Sequence, residues 1–384
     1  MQLERIKTVF DDNKEKTLFG RYINNDHILP LLEKLKSNFQ ISHIGNSVND
    51  APIYSIRLGL GKKKVLLWSQ MHGNESTTTK AIFDLLNVFK NKVDDLDSIL
   101  KNCTLLVIPI LNPDGAKRYT RVNANEIDLN RDAQDLSQPE SITLRKTFES
   151  FKPDFCFNLH GQRTIFGAGN TSNSATISFL APSQDKECTV TTNRKIAMEV
   201  ICHMNEFLQS QIPKQVGMYD DTFNINCVGD TFQNFGVPTI LIEAGHFADD
   251  YNRETTREFI FQSYIVALSY IANNDIDGVK YTPYFNIPLN KKNFFDIIIK
   301  NAQVSPSENI ISDIGILYKE ELIDEKVHFI PKIEKISNLQ NFFGHKIVNA
   351  NKTIVETIKR EPIFEGYEND FVLLNCEYLS LKSK

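Results

Sequence analysis

The sequence lacks the features that identify several classes of protein. Its 384 residues carry a formal net charge of −5, so no basic excess favours nucleic acid or an anionic membrane surface as a partner. It contains no internal repeat and no low-complexity tract. The longest apolar stretch, residues 259–272, is shorter than a membrane span and is typical of a buried helix. We therefore expect neither nucleic acid nor a membrane among its partners.

We also expect neither disulfide bonds nor an export signal. Six cysteines are present, but none forms a CxxC pair and their spacing is irregular. Charged side chains interrupt residues 1–22 before an apolar segment of signal-peptide length can form. We therefore expect reduced thiols and a cytoplasmic location.

The composition that is present is that of a globular protein, with 41% hydrophobic and 24% charged residues. The length suggests two domains. Helical periodicity fades near residue 280, and short β-like runs separated by Pro and Gly follow. We predict a catalytic domain over residues 1–280 and a small β-rich domain over residues 281–384. The expected role of this tail is structural support or the formation of a homo-oligomer.

Buried strands alternate with helices in the first part of the chain, which predicts an α/β fold with helices on both faces of a sheet. Four of these strands are predicted at residues 64–70, 103–111, 155–159 and 238–245. Each ends in polar residues: HGNE (72–75), NPDG (112–115), HGQ (160–162) and EAGH (243–246). Ligands of open α/β sheets bind just beyond the carboxyl ends of the strands. The sequence therefore predicts a functional site at this edge.

The residues at these strand ends have the chemistry of a catalytic metal site. His72, Glu75 and His160 supply two imidazoles and one carboxylate, a donor set that leaves the fourth zinc position open. Glu243 follows an apolar run, and a carboxylate buried there needs a partner because an unpaired buried charge is costly. Glu243 is therefore the candidate general base. The loop 120–132 brings arginines that suit an anionic substrate group or an oxyanion.

Six motifs in this order resemble the zinc metallocarboxypeptidase family, the group that contains pancreatic carboxypeptidase A. They are HGNE, NPDG, TRxN, DLNR, LHG and LIEAGH, and the resemblance covers about residues 25–272. It implies a three-layer α/β/α sandwich around a mixed sheet of about eight strands. It also implies one Zn²⁺ per chain, bound by His72, Glu75 and His160.

The resemblance assigns a role to each of the other site residues. Glu243 would act as general base and acid, so that a zinc-bound water attacks the scissile amide and a C-terminal residue is released. Arg121 would polarise the scissile carbonyl. Asn130 and Arg131 would bind the terminal carboxylate of the substrate. Tyr219 is the best match for the mobile tyrosine of the family, with Tyr251 as the alternative.

Substrate specificity is left open by the sequence. The family residue that lines the pocket for the terminal side chain falls within residues 228–230, where Val228 would give an apolar floor and Asp230 would select basic side chains. Both alternatives stand at this point. The segments 163–187 and 214–235, rich in Gly, Asn, Ser and Thr, are predicted to form loops around the mouth of the site.

Three functions compete on the sequence alone. The first is a peptidase that removes C-terminal residues, and the second is a zinc-dependent N-acyl amino acid deacylase of the succinylglutamate desuccinylase and aspartoacylase type. Either would act on a substrate with a free carboxylate, a peptide or an acyl-amino acid. The third is a catalytically silent binding module. The complete NPDG and TRxN motifs favour the first, and the intact metal set argues against the third.

Overall fold

The computed structural model describes residues 3–305 and 310–383. A mixed eight-stranded sheet forms its centre, in the order β1-β2-β4-β3-β5-β9-β7-β8. The first nine strands along the chain are β1 Gln40–Asn46, β2 Pro52–Leu58, β3 Lys63–Trp68, β4 Cys103–Ile108, β5 Phe155–Gly161, β6 Phe166–Ala168, β7 Ile177–Leu180, β8 Val216–Met218 and β9 Thr239–Ala244. Strands β4, β3, β5 and β9 are neighbours and run parallel, so their carboxyl ends share one edge of the sheet.

Helices cover both faces of this sheet. They are α1 Leu3–Asn13, α2 Asn25–Leu35, α3 Thr77–Lys90, α4 Asp97–Asn102, α5 Pro113–Arg118, α6 Pro139–Phe151, α7 Thr192–Gln209, α8 Val228–Asn234 and α9 Glu254–Asn273, with short 3-10 helices at Asp94–Leu96, Leu129–Arg131 and Thr282–Asn286. Within residues 3–305 and 310–383, none of the helices has the length and apolarity needed to cross a bilayer.

The alternation of side chains along the central strands explains why helices pack on both faces of the sheet. Val65 and Leu67 of β3 pack in one hydrophobic cluster with α1, α2, α3, α7 and α9. Leu66 and Trp68, between them in sequence, pack in a second cluster with α6 and α8. Successive strand residues point to opposite faces, so a strand that is apolar at every position requires cover on both. The predicted three-layer α/β/α architecture is confirmed.

One detail of the sequence prediction is wrong. The segments 163–187 and 214–235 are not loops throughout, because they contain β6, β7, β8 and α8. These strands are three or four residues long, too short to show a periodicity, and they form through pairing with neighbouring strands.

The rest of the chain is rich in β-structure, as predicted. Strands β11 Phe294–Gln303, β12 Ile311–Ile323, β13 Lys326–Ser337 and β14 Phe343–Asn349 form one sheet; β15 Val355–Glu356, β16 Phe371–Leu374 and β17 Glu377–Ser380 form another; and β10 Asn290–Lys292 pairs with β6. Two hydrophobic clusters consist of residues from this part of the chain alone. That residues 281–384 are a separate domain stays a prediction.

Candidate metal centre

The ends of β3, β4, β5 and β9 meet as the sequence predicts, and the loop after β4 supports the loop after β3. The Asn112 side chain donates a hydrogen bond to the Met71 carbonyl (3.1 Å) and accepts one from the Gly115 amide (2.8 Å). A Cβ atom on Gly73 would lie 1.9 Å from the backbone carbon of Gly115, so only glycine allows this approach. The loop 112–115 therefore holds the loop 72–75 in place. Asn112, which makes both hydrogen bonds, is fully buried.

His72, Glu75 and His160 bring their donor atoms together. Glu75 Oε1 lies 2.9 Å from His72 Nδ1, and Glu75 Oε2 lies 3.0 Å from His160 Nδ1. The two Nδ1 atoms are 3.1 Å apart. Among the described residues this is the group that satisfies the geometry of a metal site, with all donor atoms within 4.8 Å of one another.

The polar atoms of this cluster fit a cation. Two imidazole nitrogens that face each other beside one carboxylate are satisfied together when a metal ion lies between them, since neutral imidazole and ionised carboxylate are the forms that bind metals. Burial would raise the pKa of Glu75, but the His72 and His160 imidazoles hold it well below its usual range. Glu75 Oε2 also accepts the Gly161 amide at 2.9 Å. The donor set suits Zn²⁺ and leaves a coordination position for water or substrate.

Asp128 supports the metal set, a role that the sequence analysis did not assign. Its Oδ1 lies 3.0 Å from His72 Nε2, the ring nitrogen that faces away from Glu75 and His160. A carboxylate at this nitrogen fixes the tautomer and raises the basicity of the ligand. Asp128 Oδ2 accepts Arg121 Nε at 3.0 Å, and Arg121 Nη1 lies 3.4 Å from Glu75 Oε1. The DLNR motif contains this aspartate, so its signal was present in the sequence.

Glu243 lies near the carboxyl end of β9, directly beside His160, its partner in the strand register. Its Oε2 atom is buried and has no hydrogen-bond partner among the described residues. Burial and the nearby Glu75 carboxylate raise the pKa of Glu243 well above its usual range, whereas Arg121 and Arg253 act in the opposite direction. A buried carboxyl group beside the metal donors has the chemistry of a proton-transfer group.

Asn130 and Arg131 lie in the short 3-10 helix Leu129–Arg131 beside α8. The Asn130 side chain accepts the Val228 amide at 3.0 Å. Arg131 Nη1 donates to the Asn130 carbonyl at 2.7 Å and contacts Cys227 Sγ at 3.1 Å. No carboxylate partner of Arg131 is found in the part of the chain that the structure describes. The guanidinium is therefore available to an anionic ligand.

One cavity of about 800 Å³ joins these residues, within the range of small-ligand sites. All eight residues predicted to bind metal, act in catalysis or bind substrate line it: His72, Glu75, Arg121, Asn130, Arg131, His160, Tyr219 and Glu243.

The lining of the cavity bears on two choices that the sequence left open, one between two tyrosines and one between Val228 and Asp230. Tyr219 and Tyr251 both line the cavity, but the Tyr251 hydroxyl donates a hydrogen bond to Asp296 Oδ1 at 2.9 Å. Asp230 also lines the cavity, whereas Val228 packs in the hydrophobic cluster of α6 and α8. Burial raises the pKa of Asp230 to about 7.

Sequence comparison agrees with this geometry. The model of the zinc carboxypeptidase family matches residues 27–222. Carboxypeptidase SOL1 of Arabidopsis thaliana is 29% identical over 167 residues, which cover 36% of this chain and 33% of that protein. Carboxypeptidase 2 of Trichophyton rubrum is 28% identical over 100 residues, covering 26% and 19%. The matched segments thus span about a fifth to a third of the curated relatives.

Solved structures show the same fold. Carboxypeptidase A of Helicoverpa armigera superposes with a TM-score of 0.53 at 16% identity, over 71% of this chain and 80% of that one. A metallo-carboxypeptidase of Pseudomonas aeruginosa, in complex with (2-guanidinoethylmercapto)succinic acid, gives 0.50 at 17%, over 65% and 69%. The resemblance inferred from the six motifs is confirmed, since the family model matches more than half of the chain. The protein belongs to the zinc carboxypeptidase family, a family of metal-dependent peptide hydrolases.

Proposed function

We propose that the protein is a carboxypeptidase that holds one Zn²⁺ on His72, Glu75 and His160 and removes C-terminal residues from peptides. The observation that carries this proposal is the convergence of that donor set with Glu243 and Arg131 in one cavity. When bound, zinc supplies a Lewis acid that polarises the scissile carbonyl and lowers the pKa of water. A cytoplasmic location remains a prediction.

The protein residues supply proton transfer and charge stabilisation. Glu243 accepts a proton from the attacking water at its carboxylate and then delivers that proton to the nitrogen of the leaving amine, so the amide bond breaks and two termini form. Arg121 donates hydrogen bonds to the oxyanion as it develops. Burial raises the pKa of Tyr219, so its hydroxyl stays protonated and can donate to the substrate.

Arg131 would confer the requirement for a free C-terminus. A guanidinium binds a carboxylate through two parallel hydrogen bonds, and only the end of a peptide offers one on its backbone. Asn130 orients this interaction, because its side chain is fixed by the Val228 amide.

Replacing Arg131 tests the proposed function. The wild-type enzyme, loaded with zinc, should hydrolyse peptides with a free C-terminus and leave the same peptides intact when they are amidated. In Arg131→Ala, kcat/KM for the free peptides should fall about a hundredfold, since two charge-assisted hydrogen bonds are lost. Arg145→Ala, a change of the same kind on α6, should have no such effect.

The outcome also separates this activity from the deacylase. Equal hydrolysis of free and amidated peptides would contradict the assignment of Arg131. Cleavage of N-acyl amino acids without cleavage of any peptide would show that the protein is a deacylase and not a carboxypeptidase.

Asp230 would select a cationic C-terminal side chain. It lines the cavity and is only 7% exposed. A buried carboxylate there is stabilised by an ion pair with a Lys or Arg side chain of the substrate. The related Pseudomonas enzyme was solved with a guanidino derivative of succinic acid, a ligand of this charge pattern.

This assignment predicts a pH-dependent preference. The ratio of kcat/KM for peptides ending in Arg to that for peptides ending in Leu should rise between pH 6 and 8, because Asp230 ionises with a pKa of about 7. Asp230→Asn should lower this ratio about tenfold at pH 8 and make it insensitive to pH. A ratio that is the same in both proteins would place the specificity residue elsewhere.

A further inference from the structure

Part of the cavity wall comes from the β-rich tail. Tyr318, Glu320 and Phe329, on the antiparallel pair β12 and β13, line the same cavity as the metal donors. Glu320 and Phe329 are partners in the register of this hairpin. Tyr318 precedes Glu320 by two residues, so the three side chains lie on one face. This face, called here the hairpin face, is turned towards the site.

Contacts to Glu320 fix the hairpin against the first part of the chain. Arg21 Nη2 lies 3.2 Å from the Glu320 carboxylate, and the Arg21 side chain is only 10% exposed. The Tyr119 hydroxyl donates a second hydrogen bond to the same carboxylate. The charge of Glu320 is therefore neutralised within the protein, and what the hairpin face offers a ligand is mainly aromatic.

Tyr251 fixes the aromatic residues of this face. Its ring contacts Tyr318 edge-on, with 5.0 Å between centroids, and lies 5.3 Å from Phe329. The Tyr251 hydroxyl donates to Asp296 of β11, which also accepts the Tyr318 amide at 2.8 Å. Tyr318 and Phe329 remain partly exposed. Two aromatic side chains are thus held in fixed positions on the cavity wall.

The hairpin face and Arg131 belong to different parts of the wall. The hairpin residues contact Arg21, Tyr119 and Tyr251, whereas Arg131 contacts Asn130 and Cys227. If Arg131 binds the terminal carboxylate, the residues that precede the scissile bond must occupy the remaining part of the cavity. The hairpin face lines the same cavity and shares none of the hydrogen-bond partners of Arg131.

We propose that the hairpin face is a subsite for apolar side chains upstream of the scissile bond, so that the tail selects short peptides with such residues. This inference rests on the proposed carboxypeptidase function. The partly exposed rings of Tyr318 and Phe329 supply the contact, and the cavity of about 800 Å³ has the size of a site for a small ligand such as a short peptide. The tail then determines specificity.

Binding measurements on a variant with strongly reduced turnover test the subsite. The background is zinc-loaded Glu243→Gln, and the ligands are formyl-Ala-Arg and acetyl-Leu-Phe-Ala-Arg, measured by titration calorimetry. The longer peptide should bind about tenfold more tightly, a gain of roughly 1.4 kcal/mol. Adding Phe329→Ala should remove this gain. Adding Phe364→Ala, the same change at a tail position 52% exposed and outside the cavity lining, should preserve it.

Two results would overturn the subsite. The longer peptide could bind no more tightly than the shorter one, or its higher affinity could survive Phe329→Ala. Phe329→Trp gives an independent reading if the alanine variant does not fold, since its fluorescence should change with the longer peptide and not with the shorter. Hydrolysis of both peptides by the wild-type enzyme is measured alongside. If neither is hydrolysed, the carboxypeptidase function itself fails; if both are, a missing gain rejects the subsite alone.

Discussion

Replacement of Glu243 by Gln should lower kcat by about a thousandfold while zinc binding and folding are retained. The substitution removes the group that accepts and returns the proton, and general acid–base catalysis of this kind contributes about 10²–10⁴-fold. Glutamine has nearly the same shape, and Glu243 is not among the three clustered donors. Steady-state kinetics on a peptide with a free C-terminus, together with zinc content, measures both effects.

The structure gives a reason to expect so large a loss. Glu243 Oε2 is buried without a hydrogen-bond partner in the described part of the chain, which is costly unless the atom is used in binding or catalysis. Glu258→Gln, on α9, is the matched control and should retain wild-type kcat. A Glu243→Gln enzyme with a kcat within tenfold of wild type would mean that another group transfers the proton.

The chemistry of the strand ends was predictable because it depends on local pattern alone. His72 and Glu75 follow β3, and His160 and Glu243 lie at the carboxyl ends of β5 and β9. Parallel neighbouring strands bring these ends to one edge of the sheet. No long-range information is needed for that step. The resemblance to the family then added the expected roles of Arg121, Asn130 and Arg131.

Other parts of the site depend on contacts that the sequence does not encode locally. Val228 and Asp230 are two residues apart on α8, and a helix turns about 100° per residue, so one side chain enters the core and the other the cavity. The Arg21–Glu320 contact joins residues 299 positions apart, and no periodicity could have placed the hairpin face on the cavity.

Removal of one metal donor should have an effect as large as loss of Glu243, through a different cause. His160→Ala should weaken zinc binding about a thousandfold or more, so that the variant loses its zinc on dialysis while the wild type retains one ion per chain. Even the loss of a residue that merely orients a ligand costs about 10- to 100-fold in affinity, and His160 Nδ1 lies within 3.0 Å of Glu75 and 3.1 Å of His72.

Metal analysis and activity together separate this effect from misfolding. A chelator should abolish wild-type activity and added zinc should restore it, whereas His160→Ala should stay inactive when zinc is added at the same concentration. His203→Ala, at a position 47% exposed on α7, is the matched control and should bind zinc as wild type does. Retention of one tightly bound zinc by His160→Ala would exclude His160 as a ligand. Because Glu243→Gln should keep the metal and His160→Ala should lose it, the pair distinguishes a group that transfers protons from one that holds the ion.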